Sequence, residues 1–117
     1  MKYLSLFLIL FLLCLNCELT GPSGPTIYNI EYEVTGFPPN KVNITYENES
    51  GGTSQYSNVS IPWSYSFVRE KGEFVYISAQ NQGESGSITV TIYKNNNIFK
   101  SSTSSGLYVI ATASGTL

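Results

Sequence analysis

From Tyr28 to Val34 the chain reads Tyr-Asn-Ile-Glu-Tyr-Glu-Val, and this strict alternation constrains the fold more than any other feature. Tyr28, Ile30, Tyr32 and Val34 take every second place, with Asn29, Glu31 and Glu33 between them. A side-chain period of two belongs to a β-strand with one buried and one wet face. The same period returns in KVNITYE through Val42, Ile44 and Tyr46, and in SITVTIY through Ile88, Val90 and Ile92. NVSIPWSYSF sets Val59, Ile61, Trp63, Tyr65 and Phe67 in phase. Pro62 interrupts that run and marks an edge or a bulge, because proline has no N–H for a ladder. EFVYISA and LYVIATA carry apolar residues on both faces, as central strands do.

Turn chemistry separates these runs: GFPPNK, NESGGTS, EKGE, NQGESG, NNN and SSTSSG. YKNNNIF reads as a tight hairpin, since asparagine tolerates positive φ. No segment has helical spacing of useful length. The expected fold is all-β: a small immunoglobulin/transthyretin-like β-sandwich of seven to eight mostly antiparallel strands, occupying 26–117. An aromatic content of 14% argues for a packed core rather than disorder.

The start of the chain has a different composition. Lys2 precedes an apolar run from Leu4 to Leu15, which is shorter than the roughly 20 residues that span a bilayer. It fits a secretory signal over 1–16. The LCLNC sequence resembles a lipobox, in which a peptidase cuts before a diacylglycerol-modified cysteine, here Cys17. Cys14 and Asn16 stand where that pattern prefers an aliphatic and a small residue; a plain signal peptide or a short uncleaved anchor is the other reading. Gly21, Pro22, Gly24 and Pro25 propagate neither helix nor strand, so 17–25 reads as a tether behind a lipid anchor. The expected location is extracytoplasmic and membrane-anchored. Both cysteines lie in this leader, which excludes a disulfide framework from the domain.

Chemistry-bearing residues are sparse. The chain has no histidine and no aspartate, which removes the commonest general base and most triads and zinc sites. The expectation is no enzyme, no metal and no cofactor. Glu47 and Glu49 could line a calcium loop but read more simply as a solvated hairpin tip. Glu31 and Glu33 share the wet face of one strand, without the cleft that a glycosidase pair needs. Trp63 and Tyr65 are the candidate ligand-contact residues, as a sugar-stacking pair, against the alternative that they fill the core. Asn43, Asn48 and Asn58 head N-x-Ser/Thr sequons and are read as ordinary loop and strand residues. A net charge of -2 without a basic patch argues against nucleic acid.

YEVTG, ITYENESGGTSQ, NVSIPWSYSF, VYISAQN, GSITVTIY and SSTSSGLYVIATASGTL, in that order, give a chain that resembles the MmpS family of small mycobacterial membrane proteins. The resemblance implies a small extracytoplasmic β-sandwich. It also implies a role beside resistance-nodulation-division transporters that export lipids and siderophores. Those relatives carry a membrane-spanning helix where this chain has a short signal-like segment, and an Asp-Gly turn where it has Asn95–Asn97. Many of them pair two late cysteines, which by motif position fall at Val90 and Ala113; the resemblance thus implies that these two face each other. The expected function is a membrane-tethered, non-catalytic interaction or accessory module of the cell envelope. The alternatives are a transporter accessory and a surface carbohydrate-binding module.

Overall fold

The computed structural model describes residues 24–117, and Cys14, Cys17 and most of the tether lie outside them. Among the described residues every regular element is a strand: β1 Ile27–Phe37, β2 Lys41–Glu47, β3 Thr53–Ser60, β4 Trp63–Glu70, β5 Phe74–Asn81, β6 Ser87–Lys94, β7 Asn97–Ser105 and β8 Ile110–Thr116. They form two four-stranded sheets, β4-β1-β6-β7 and β3-β2-β5-β8. All the ladders are antiparallel. The eight strands make the expected β-sandwich.

Alternation builds the core. Ile30, Tyr32 and Val34 from β1 meet Val42, Ile44 and Tyr46 from β2; Val75, Ile77 and Ala79 from β5 meet Ile88, Val90 and Ile92 from β6. Ala111 and Ala113 add the inner face of β8. Each of these side chains removes apolar surface from water at about 25 cal/mol per Å².

The sheets do not lie parallel. Their Cα atoms come within 8 Å where β6 meets β5 and β8, and where β7 meets β8. The residues on that side are small: Ala79, Ala111, Ala113 and the serines of β7. Toward β3 and β4 the filling changes to Tyr32, Tyr46, Trp63, Tyr65 and Phe67. The core is a wedge, thin at one side and aromatic at the other.

Three readings of the sequence change here. NVSIPWSYSF is not one strand: β3 ends at Ser60, and β4 starts in the other sheet at Trp63. Pro62 sits in that crossing beside buried Ile61, so the common phase of Val59 and Trp63 continues across a change of sheet. Both β3 and β4 are edges, as Pro62 indicated. SSTSSG is not a turn; it completes β7, which pairs with β6 from Ser87↔Ser105 to Lys94↔Asn97. LYVIATA is not a central strand. Leu107 and Tyr108 lie in an exposed turn, and β8 is an edge. Its apolar first half reflects that turn, not burial on two faces.

The tight β6–β7 hairpin holds as expected: Asn95 and Asn96 take φ of 50° and 66° between the paired Lys94 and Asn97. Gly36 is required by close approach, since a Cβ there would stand 2.6 Å from the Ser87 carbonyl and 2.9 Å from Ile61.

Candidate functional site

The aromatic side of the wedge carries the largest group of residues suited to contact a partner. β4 points Trp63, Tyr65, Phe67 and Arg69 toward the other sheet at period two. Because β4 is an edge, no further strand among the described residues covers the aromatic members, and all three are half-buried. Trp63 and Tyr65 lie nearly parallel, at 11° with centroids 6.4 Å apart. Tyr46 sits against both, at 5.6 and 5.0 Å, and Tyr56 of edge strand β3 stacks on Tyr46 at 6.1 Å. Tyr56 is 51% exposed and forms the outer lip. Trp63 and Tyr65 are thus neither an exposed platform nor full core. They are the inner wall of an aromatic seam between two sheet edges.

Charged groups close one end of the seam. The Tyr65 hydroxyl donates a short hydrogen bond to Glu49. Glu47 faces Arg69 at 3.5 Å, and Glu73 lies 3.6 Å from the same guanidinium. Arg69 also donates to the carbonyls of Glu49 at 3.1 Å and Phe74 at 3.4 Å, while its buried Nε has no partner among the described residues. The two carboxylates considered for calcium therefore diverge, one to Arg69 and one to Tyr65. Arg69 belongs to no motif in the sequence. Its signal was phase: a cation two places beyond Phe67 on the inward face must find carboxylates or carbonyls there.

The Tyr65–Glu49 bond shifts both groups. It pushes the Tyr65 phenol up to about 12, with desolvation adding to the effect, and holds the Glu49 carboxyl below its ordinary range. Glu49 favours the bond above the usual carboxylate pKa and loses it in acid. Tyr65 favours the bond below roughly pH 10 and loses it as pH rises through about 12. In Glu49→Gln the Tyr65 midpoint, followed by NMR of the ring Cζ carbon, is expected to fall back toward roughly 10. An unchanged midpoint would mean that the bond does not form in solution.

Beneath the seam Tyr32 is fully buried. Its hydroxyl donates to the Glu47 carbonyl at 2.7 Å and accepts from the Tyr76 N–H at 3.2 Å. Burial first, then the Glu47 charge, drives its ionisation far above the ordinary tyrosine range. Tyr46 shifts upward as well, again chiefly through desolvation. These phenols act as pins rather than as acids.

The sequon asparagines have structural partners. Asn48 Oδ1 accepts from the backbone N–H groups of Ser50 and Gly52 and so shapes the β2–β3 turn. Asn43 Oδ1 accepts from the Asn58 N–H at 3.0 Å, where Asn58 takes φ of 53° at the β2–β3 register shift. Glu31 and Glu33 remain on the outer face of the β4-β1-β6-β7 sheet, where the Tyr93 hydroxyl donates to Glu33 at 3.1 Å. Among the described residues no group of three His, Cys, Asp or Glu side chains converges as a metal site would require. Nor is any helix there long and apolar enough to cross a membrane.

The family model described as "Mycobacterium membrane protein" matches residues 21–113, which takes in seven strands and the start of β8. No curated protein matches the chain.

Proposed function

Because the chain belongs to the Mycobacterium membrane protein family, we propose that it is a non-catalytic envelope module whose aromatic seam docks a partner protein. The observation that carries this reading is the seam itself. Trp63, Tyr65 and Phe67 fill the wide side of the core yet stay half-exposed along an edge strand beside Tyr56, and an open row of aromatics of this kind suits contact with a partner. Aromatic side chains give large contact area at low entropic cost, and they dominate binding energies at interfaces. The absence of histidine and aspartate from the sequence supports a binding role over catalysis.

The chain acts from a membrane surface, held through a lipid on Cys17, with the domain on the extracytoplasmic side. Lipid chains bury at about 0.8 kcal/mol per methylene, and more than one chain makes a lasting anchor. Family membership favours an export transporter of the resistance-nodulation-division class as the partner. The carbohydrate reading at Trp63 gains less support, since Trp63 is half-buried against Tyr46 and Tyr65 rather than standing free as a platform.

A photocrosslinking residue at Tyr56 in the full chain, expressed in its own cells with labelled palmitate, tests both halves. Label on the wild type, its loss with membrane retention in Cys17→Ala, and one discrete adduct at Tyr56 are expected. Trp63→Ala should weaken that adduct several-fold. Equal labelling of wild type and Cys17→Ala would remove the lipid anchor; an adduct indifferent to Trp63 would remove the seam.

A further inference from the structure

The outer face of the β4-β1-β6-β7 sheet holds a groove of about 400 Å³, away from the seam. Its floor is Asn29 and Glu31 of β1, with Ser66 and Val68 of β4 on one side and Tyr93 of β6 on the other. Asn96 of the β6–β7 hairpin stands at one end. Register explains the grouping: Glu31 lies across from both Ser66 and Tyr93, and Asn29 lies across from Val68. Alternation sends all of these outward, so short β1 side chains lie between a phenol ring and an exposed valine.

The polar groups there are underused. Among the described residues Glu31 has only a long contact from Ser66, at 3.4 Å. The Asn29 and Asn96 side-chain amides make no hydrogen bond within the described residues, whereas neighbouring Asn95 Oδ1 is taken by the Asn29 N–H at 2.9 Å. Tyr93 differs: its hydroxyl is tied to Glu33, which holds in place a ring that lines the groove.

We propose that this groove binds a neutral saccharide of one or two rings, seated on Tyr93 and hydrogen-bonded by Glu31, Asn29, Asn96 and Ser66. A sugar ring offers an apolar C–H face for the aromatic ring and a rim of hydroxyls that both donate and accept. The lining matches that rim: a carboxylate that accepts, two amides that do both, and one hydroxyl. The groove volume falls in the range of small-ligand sites. Glu31, with Glu33 beside it, disfavours acidic sugars and other anions. Most of the polar lining is neutral, which disfavours a bound cation.

Saturation-transfer NMR on the full chain, in a detergent without a sugar headgroup, tests this with neutral mono- and disaccharides of glucose, galactose, mannose and N-acetylglucosamine. At least one should bind, with a dissociation constant on the order of 1 mM, as suits a shallow open site. Tyr93→Ala should weaken binding at least tenfold, while Tyr93→Phe, which keeps the ring, should stay within about threefold. Asn96→Gly suits the left-handed turn and removes only the amide, so it should also weaken binding. Trp63→Ala should leave binding unchanged, which separates this site from the aromatic seam. No response to any sugar, a Tyr93-dependent response to arginine methyl ester alone, or sugar binding lost in Trp63→Ala would each overturn the proposal.

Discussion

Asn81→Leu is expected to destabilise the domain by about 3–4 kcal/mol, which for a domain of this size lowers the thermal midpoint by on the order of 15 °C. Asn81 ends β5 and is fully buried. Its amide nitrogen donates to the carbonyls of Gly106 at 2.7 Å and Ser85 at 3.2 Å. Its oxygen accepts from the Gly83 N–H at 3.0 Å and from Asn40 at 3.2 Å. One side chain thus joins the β1–β2, β5–β6 and β7–β8 connections, all of which cross between the sheets. Leucine has the same branched shape and is larger, so the cost is not a cavity. It is the desolvation of several polar groups left without partners, at about 1–3 kcal/mol each, partly relieved by water. Gln82→Ala is the control. Among the described residues that side chain reaches only its own neighbours, at 3.4–3.5 Å, and its loss should change stability by less than about 0.5 kcal/mol. Chemical denaturation measures both. A loss below about 1 kcal/mol for Asn81→Leu would mean that the three loops are held by their backbones alone.

The second large effect is a gain. Oxidised Val90→Cys with Ala113→Cys is expected to crosslink within one chain and raise the unfolding free energy by about 2–4 kcal/mol. Val90 is fully buried between Ile88 and Ile92 on β6, and Ala113 is 6% exposed on β8. They belong to opposite sheets, at the thin side of the wedge where the Cα atoms of β6 and β8 come within 8 Å. A disulfide wants its own Cα pair at roughly 4.4–6.8 Å, and this is a side where the two sheets approach that range. Closing a loop of this length restricts the unfolded chain by about 3 kcal/mol in the chain-entropy model. Peptide mapping distinguishes the new link from Cys14 and Cys17, and denaturation with and without reductant gives the gain. A folded protein whose two new thiols both stay free under oxidant would show that Val90 and Ala113 do not face each other.

Strand identity was legible wherever one face is apolar. Val34, Ile44 and Ile92 declare their strands because burying every second residue is the only way such a pattern leaves water. β7 gave no such signal. Its inward Ser102 and Ser104 sit at the thin side, opposite β8, where small residues let the sheets approach. It is a strand because β6 offers it a ladder, reinforced by hydroxyl pairs such as Thr89–Thr103 at 2.7 Å. The seam was half legible: the aromatic phase of Trp63 and Tyr65 was plain, while Tyr46, Tyr56 and Arg69 joined them only through folding.

The class of fold, most of the apolar residues that leave water, the tight asparagine turn and the edge character around Pro62 follow from the sequence alone. These rest on local backbone geometry and a period of two, both properties of short segments. Which sheet each strand enters, the wedge shape of the core, and the grouping of Tyr93, Glu31 and Asn96 in one groove emerge in three dimensions. Those outcomes depend on contacts between residues far apart in the chain, whose energies no single segment carries. An alternating strand specifies which of its faces is buried, but not which strand lies beside it.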